Sequence, residues 1–218
     1  MPRFPRLVVP GHPHHVTQRG VRRQLTFFEE SDYQTYLKMA LELTADWHVE
    51  FWAYCLMPNH IHAIVVPHQS DCLSKYFAIL HRRYARQMNQ RHEWLGHLWQ
   101  KRFFSVVMDE RHTLAGLRYV EMNPVRSGLC KSALDWPWSS ASGNLGLLDD
   151  PLIDRSRTHE IITDWDAYLA DEEDATTIEG LRSQTGTGRP DGDDDFLKLL
   201  ESQTGRRVRK KRAGRKKK

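Results

Sequence analysis

The sequence predicts an α+β fold, an antiparallel sheet with helices on one face, followed by a largely disordered, charged C-terminal extension. Two observations support this prediction. β-rich and amphipathic segments alternate in the order β, α, β, β, α, β, α and end by about residue 130. Hydrophobic residues make up 39% of the 218 residues, enough for a core, whereas Asp, Glu, Thr and Gly dominate beyond residue 170.

The first half of the pattern predicts a strand, a helix and a hairpin. Residues 12–20 have β-branched character and end at a glycine, which indicates a short strand. Ser31 or Asp32 precedes apolar residues at spacings of three and four, so either residue would cap an amphipathic helix. Residues 49–57 and 60–66 are β-rich and flank a Pro-Asn turn, and we interpret them as a hairpin.

The second half predicts a helix, a strand and another helix. Residues 73–93 carry apolar side chains at helical spacing, and residues 103–108 are a strand candidate. A third helix should begin near His112 or Thr113 and is limited by Pro124, because proline cannot continue the hydrogen-bond ladder. The complete order is the split β-α-β layout of a ferredoxin-like sheet.

Charge divides the chain into three blocks. Residues 1–148 hold 17 basic and 12 acidic side chains, residues 149–201 hold 5 and 16, and residues 206–218 hold 10 basic and no acidic ones. Blocks of like charge usually mark disordered tails or contacts with polyanions, so nucleic acid is the first partner to consider. We expect a folded domain over 1–145, a packing extension over 146–170, an acidic linker with a short amphipathic segment over 171–205, and a basic tail.

Several classes of protein are disfavoured by the composition. No stretch approaches the 18 to 20 apolar residues of a membrane span, and the first residues lack the apolar run of a signal peptide. Cys55, Cys72 and Cys130 are odd in number and widely spaced, which predicts neither a disulfide framework nor a thiolate zinc site. We therefore expect a cytoplasmic protein without a membrane partner.

The most specific local feature is His60-Ile61-His62. On a strand, residues two apart point to the same face, so the two imidazoles would lie side by side and could hold one divalent cation. Two surface histidines in a chain that has 12 of them would give the same pattern.

Tyr119 and Asn123 are four residues apart on the third predicted helix and would share one of its faces. The amide oxygen of Asn123 could complete a mixed nitrogen and oxygen ligand set for Mg²⁺ or Mn²⁺, with the phenol as a nucleophile. The alternative for Tyr119 is ordinary packing, and an Asn before a Pro is a common end of a helix.

These residues belong to five ordered motifs between about residues 7 and 145. The motifs are HHVTQRG at 14–20 with FF at 27–28 and DY at 32–33, MPNHIH at 57–62 with VVP at 65–67, LWQ at 98–100 with RFF at 102–104, RYVEMNPVRSGL at 118–129, and WPWSS at 136–140. Together they closely resemble the REP-associated tyrosine transposases, which are relatives of the small insertion-sequence transposases in the histidine-hydrophobic-histidine superfamily.

The resemblance implies a role for each candidate residue. His60 and His62 match the metal-binding pair, Tyr119 matches the nucleophile, and Asn123 matches the third ligand, which is usually Gln in the insertion-sequence relatives. It implies a catalytic domain over 1–145 that is a metal-dependent endonuclease and strand transferase for single-stranded or hairpin DNA, with a 5′-phosphotyrosine intermediate. It also implies either a monomer or a homodimer that exchanges the tyrosine helix.

Basic residues near aromatic ones are candidates for DNA binding, because cations neutralise phosphates while aromatic rings stack on unpaired bases. These candidates are Arg19, Arg22, Arg23, Arg82, Arg83, Arg86, Lys101 and Arg102. A solvated helix face would explain the arginines of the second helix equally well, and the basic tail could be a nonspecific DNA arm or only a solubilising segment. We interpret Trp136 and Trp138 as packing residues, and we assign no role to Glu121.

Two other functions are considered for the whole chain. The first is a catalytically silent, sequence-specific nucleic-acid-binding protein, since other four-stranded sheets of this kind bind single strands. The second is a mononuclear metal hydrolase, which the sequence disfavours because it shows no carboxylate-rich ligand set. The intact set of His60, His62, Tyr119 and Asn123 favours the transposase.

Overall fold

The computed structural model of the chain describes residues 6–171, 178–181, 188–190 and 192–209. Its four strands are β1 (His14–Arg19), β2 (Val49–Met57), β3 (His60–Pro67) and β4 (Phe104–Val107). They form one sheet in the order β2-β3-β1-β4, in which every neighbouring pair is antiparallel. The α+β class and the ferredoxin-like antiparallel sheet are therefore confirmed.

Two long helices, α1 (Glu30–Trp47) and α2 (Cys72–Arg91), cover one face of the sheet and pack on its apolar side chains. The cap of α1 differs from the prediction: the N-cap is Glu29, and Asp32 occupies the third helical position of a capping box. The Asp32 carboxylate accepts hydrogen bonds from the backbone N–H groups of Phe28 and Glu29 at 2.7 and 3.2 Å. The helix starts two or three residues earlier than expected, because this carboxylate reaches back to free N–H groups.

The third helix, α3 (Glu110–Glu121), lies on the opposite face of the sheet from α1 and α2. We expected all helices on one face. Small and apolar side chains of β2 and β3, including Ala53 and Ile64, leave a surface here on which Leu117 and Val120 pack. Alternation along the strands thus produces two buried faces, one on each side of the sheet.

The polypeptide breaks its helix after Glu121, and Asn123 begins a separate turn, α4 (Asn123–Arg126). The expectation that Tyr119 and Asn123 share one helix was therefore wrong. Pro124 lies in the first turn of α4. Proline has no backbone N–H, and in the first turn of a helix that group would have no partner within the helix, so the proline costs no hydrogen bond there. The two side chains still meet, because α4 follows α3 directly.

Short helices follow the body: α5 (Ala141–Asn144), α6 (Arg155–Ile161), α7 (Trp165–Ala170) and α8 (Asp194–Thr204). Within the segment expected to be a packing extension, α6 and α7 are separate helices, because Asp164 caps the second one by accepting from Ala167 N–H at 3.0 Å. The amphipathic segment expected in the linker is α8, whose Leu200 is buried beside Leu7 and Val9. Residues 172–177, 182–187, 191 and 210–218 lie outside the described part, so disorder there stays a prediction.

Among the described helices, none has both the length and the apolar composition that crossing a bilayer requires. Cys55, Cys72 and Cys130 are all free thiols, and the first two are buried. The structure therefore gives the cysteines no disulfide role.

The WPWSS segment at residues 136–140 lies along the free edge of β2. Leu56 N–H donates to the Trp138 carbonyl at 2.8 Å, and Ser140 N–H donates to the Tyr54 carbonyl at 3.0 Å. The Trp138 ring also stacks on Tyr33, with their centroids 4.7 Å apart. Both tryptophans are packing residues, and the segment also covers a sheet edge that would otherwise present unpaired backbone groups.

Glu121, at the end of α3, connects this edge segment to the tyrosine helix. Its side chain is fully buried and accepts hydrogen bonds from Ser140 Oγ at 2.6 Å, Asn144 Nδ2 at 2.7 Å and Trp165 Nε1 at 2.8 Å. Burial raises the pKa of Glu121, while the three hydrogen bonds favour the ionised form and oppose that shift. One carboxylate thus fixes α3, α5 and α7 relative to one another.

We predict that Glu121→Ala lowers the free energy of unfolding by about 2 to 4 kcal/mol, because three buried donors lose their acceptor. Chemical denaturation measures this loss. The control is Glu110→Ala, in the exposed first turn of the same helix, which should change stability by less than about 1 kcal/mol. Equal losses in the two variants would contradict the anchoring role.

Candidate active site

A cleft of about 500 Å³ opens between the sheet and the α3–α4 junction. It contains all four residues that the sequence nominated for metal binding and nucleophilic attack. The lining residues are Thr17, Gln18, Arg19, His60, His62, Gln100, Phe104, Tyr119, Asn123 and Ser127. Residues from four stretches of the chain, 17–19, 60–62, 100–104 and 119–127, therefore converge on one site.

The register of the two central strands places the histidines. Arg19 of β1 lies opposite His60 of β3, and Thr17 lies opposite His62, so these four side chains share the face of the sheet that α3 covers. The His60 and His62 ring centroids are 5.0 Å apart. The prediction that the two imidazoles of His60-Ile61-His62 lie side by side on one face of the strand is therefore confirmed.

Both imidazoles are held in the neutral form. Burial, followed by the charge of Arg19, lowers the pKa of His60 to about 4. Burial also lowers the pKa of His62 well below its usual value, and the neighbouring His15 and His60 add to the effect. Only a neutral imidazole can donate a lone pair to a cation, so the electrostatics suit metal ligands.

Tyr119 is nine-tenths buried, and its ring centroid lies 5.6 Å from that of His62. The guanidinium of Arg126 lies over the Tyr119 ring, 4.2 Å from its centroid, and donates to the Tyr119 backbone carbonyl. Arg126 was not among the sequence candidates. Its place in the motif RYVEMNPVRSGL, together with Tyr119, was the signal that could have found it.

Asn123 brings an amide to the same cleft. Its Nδ2 is buried without a hydrogen-bond partner in the described part of the chain, and its Oδ1 accepts from Ser127 Oγ at 3.4 Å. A half-turn of the amide exchanges its oxygen and nitrogen, so an oxygen ligand fits the unpartnered position.

No group of three His, Cys, Asp or Glu residues suited to a metal occurs among the described residues. The protein ligands would then be two imidazoles and one amide. A partial set of this kind fits Mg²⁺ or Mn²⁺, because such ions commonly take further ligands from water and from substrate phosphates.

The basic candidates separate into three locations. Arg19 lines the cleft of Tyr119, whereas Arg22 and Arg23 are exposed on a 3₁₀ turn (Val21–Arg23) just after β1. The others lie along α2 and the loop before β4. Of these, Arg82, Arg86, Lys101 and Arg102 line a second groove of about 470 Å³, and Arg83 does not.

Arg6, which the sequence did not single out, joins this basic groove. Its guanidinium lies 3.6 Å from the Phe103 ring centroid and donates to the Phe103 carbonyl at 3.0 Å. Burial and the charge of Arg102 lower the pKa of Arg6 to about 10. No carboxylate lines the groove within the described residues, so bound anions would relieve the repulsion among its cations.

Two named relatives share sequence with the chain. A Haemophilus influenzae protein provisionally named as a REP-associated tyrosine transposase is 28% identical over 123 residues, which cover 50% of this chain and 69% of the relative. The REP-associated tyrosine transposase of Escherichia coli is 27% identical over 130 residues, which cover 57% of this chain and 72% of the relative.

A solved REP-associated tyrosine transposase bound to a REP hairpin has the same fold, with a TM-score of 0.59 and 22% identity over 67% of this chain and 86% of that one. The family described as "Transposase IS200 like" matches residues 9–123, which include every residue of the cleft except Ser127. Because this match spans just over half of the 218 residues, the chain belongs to the family of IS200-like transposases.

Proposed function

We propose that the protein is a metal-dependent, single-stranded DNA endonuclease and strand transferase that acts on hairpin or repeat DNA through Tyr119. The observation that carries the proposal is the meeting of Tyr119, His60, His62 and Asn123 in one cleft of a single chain. The named relatives support transposase chemistry, and the structural neighbour's hairpin supports hairpin DNA as the substrate class.

The proposed reaction exchanges one phosphodiester for another. The Tyr119 hydroxyl loses its proton and attacks the scissile phosphorus, and the bond to the 3′ oxygen breaks and releases a 3′-hydroxyl. The product is a 5′-phosphotyrosine. Since this linkage keeps the energy of the broken bond, a second 3′-hydroxyl can attack it, rejoin a strand and restore the phenol.

Positioning and charge provide most of the catalysis in such a reaction. His60, His62 and Asn123 would hold a divalent cation, which as a Lewis acid would polarise the phosphate. Arg19 lines the cleft, and Arg126 lies over the Tyr119 ring, so both cations are close to where phosphate charge would develop. Arg19 in the cleft wall and Arg126 against the ring therefore both place positive charge near Tyr119.

The basic groove would bind the DNA strand that flanks the cleaved bond. Gln100 lines the cleft of Tyr119, whereas Lys101 and Arg102 line the groove, so one short loop borders both. A strand crossing this loop would meet the cations of α2 next. Phosphate contacts of this kind give affinity without reading sequence.

A tyrosine substitution tests the proposal most directly. We predict that Tyr119→Phe binds a 3′-labelled hairpin or single strand normally but forms no covalent adduct, a loss of at least about 10³-fold. Denaturing gels and peptide mapping of the labelled protein measure the adduct. The control is Tyr33→Phe, which removes another largely buried phenol on the opposite face of the sheet and should leave the adduct unchanged.

An adduct that persists in Tyr119→Phe would refute the nucleophile. Binding of hairpins without any adduct in the wild type would instead favour the catalytically silent binding protein.

We predict that cleavage needs Mg²⁺ or Mn²⁺ and that His60→Ala and His62→Ala each reduce it by about 10²-fold or more, because the phosphate loses its Lewis acid. DNA affinity should hold, since it comes from dispersed phosphate contacts. His68→Ala, an exposed histidine of the same strand region, is the control and should cleave normally. Full cleavage in EDTA would disprove the metal requirement.

We predict that the double variant Arg82→Ala/Arg86→Ala weakens binding of single strands and flattens its salt dependence. Each lost phosphate contact should lower the slope of log affinity against log salt by about 0.7. The control Arg83→Ala removes one charge from the same helix but outside the groove, so its slope should match the wild type. A slope change in Arg83→Ala about half as large as that in the double variant would mean that only the net charge of α2 matters.

A further inference from the structure

The two histidines of the cleft each have a hydrogen-bond partner on the ring nitrogen that faces the protein. His60 Nδ1 lies 2.6 Å from Asn59 Oδ1, and His62 Nδ1 lies 2.9 Å from His15 Nε2. In both rings the remaining nitrogen is Nε2. Outer partners of this kind set the tautomer of metal-binding histidines in general.

The orientation of Asn59 is fixed independently of His60. Its Nδ2 donates to the Arg23 backbone carbonyl at 3.0 Å, and because a carbonyl can only accept, the nitrogen of the amide must point there. Its Oδ1 therefore faces His60. An amide oxygen cannot donate, so the proton of this hydrogen bond belongs to His60 Nδ1, and the lone pair of His60 is on Nε2.

This contact also joins His60 to an unusual turn. Arg22 and Arg23 both have left-handed backbone angles, with φ of 53° and 63°. Two consecutive residues with side chains rarely adopt this conformation, and such strain persists only where the surroundings enforce it. Asn59 supplies part of that enforcement. If Asn59 only formed the hairpin turn, its side chain could point into solvent. Instead, its Nδ2 is hydrogen-bonded to Arg23 and its Oδ1 to His60.

The contact between His15 and His62 is buried, since the two side chains are 4% and 5% exposed. Their rings stack with centroids 5.1 Å apart and an interplanar angle of 18°. Either ring could donate the shared proton. Only when His62 donates does its Nε2 keep a lone pair, and only then can both histidines present the same atom to one cation.

We propose that Asn59 and His15 are positioning residues that hold His60 and His62 in the Nδ1-protonated tautomer, so that the Nε2 atoms face the cation site. The role of the cation rests on the proposed function, whereas the tautomers are a property of the metal-free protein. Sequence reasoning did not nominate either residue. Both lie within motifs that it quoted, HHVTQRG and MPNHIH.

The first measurement is the tautomer of each ring in the wild-type protein without metal. Two-dimensional ¹⁵N–¹H correlation spectra of histidine-labelled protein distinguish protonated from bare ring nitrogens. We expect protonated Nδ1 and bare Nε2 in both His60 and His62. A protonated Nε2 in either ring overturns the proposal for its partner, and this test requires no variant to fold.

The second measurement is Mn²⁺ affinity, which we would determine by titration with electron paramagnetic resonance of the free ion as the readout. Asn59→Ala and His15→Phe should each bind Mn²⁺ about 10- to 100-fold more weakly, the usual effect of losing an outer partner. Two variants serve as matched controls. Asn89→Ala removes an amide that donates to the Gly96 carbonyl, away from the histidines. His14→Phe removes a buried histidine whose side chain lies on the other face of β1. Both controls should keep wild-type affinity.

The outcomes separate the two proposals. Wild-type Mn²⁺ affinity in Asn59→Ala and His15→Phe would overturn the positioning role. Identical Mn²⁺ binding by the wild type and His60→Ala would instead refute the metal assignment in the proposed function, and the tautomers of the wild type would still decide the roles of Asn59 and His15.

Discussion

A buried carboxylate is the constraint on which the site depends. Removing the charge of Glu121 from water costs several kcal/mol unless hydrogen bonds replace its hydration, and here three donors do so. These donors come from the WPWSS segment, α5 and α7. Because all three must be in place, the end of α3 has one favourable position on the sheet, and Tyr119 lies two residues before it. Tyr119, the proposed nucleophile, is thus held in place by residues that lie outside the cleft.

The sheet divides its two faces between stability and chemistry. One face packs on α1 and α2 in the largest apolar cluster of the described residues. The other face carries His60 and His62, which face Tyr119 of α3 and Asn123 of α4 across the cleft. The pairing of β1 with β3 maintains this division, since a slip of one residue would turn both histidines into the core. Neutral imidazoles then lie close to the permanent charges of Arg19 and Arg126, an arrangement suited to a cation and a phosphate together.

Local patterns predicted the elements that form the site, and distant contacts account for what they missed. The hairpin, the His-x-His pair and the helix of Tyr119 follow from periodicity and turn residues over a few positions. The face on which α3 packs does not, because it depends on Ala53 and Ile64, far away in sequence. No role was assigned to Glu121, because its hydrogen-bond partners come 19 to 44 residues later in the sequence.

The same reasoning explains the other residues that were not predicted. Arg6 joins α2 in the basic groove only after the chain has folded around the sheet, and no spacing signals it. His15 and Asn59 lie within the motifs HHVTQRG and MPNHIH, yet their proposed roles depend on which ring atom they contact. The family resemblance nominated the proposed ligands and nucleophile, whereas the hydrogen-bond geometry nominated the groups proposed to orient them.

Because Tyr119, His60 and His62 line one cleft of a single chain, we propose that Tyr119 acts beside its own histidines and not in the site of a second copy. Mixing two inactive proteins tests it: Tyr119→Phe, which keeps the histidines, and His60→Ala/His62→Ala, which keeps the tyrosine. Covalent capture of labelled hairpin DNA in Mg²⁺ is the readout. We expect the mixture to form no adduct at any ratio, since neither chain is complete. An adduct in the mixture, carried by the histidine-deficient chain, would show instead that the tyrosine helix acts in the site of a second copy.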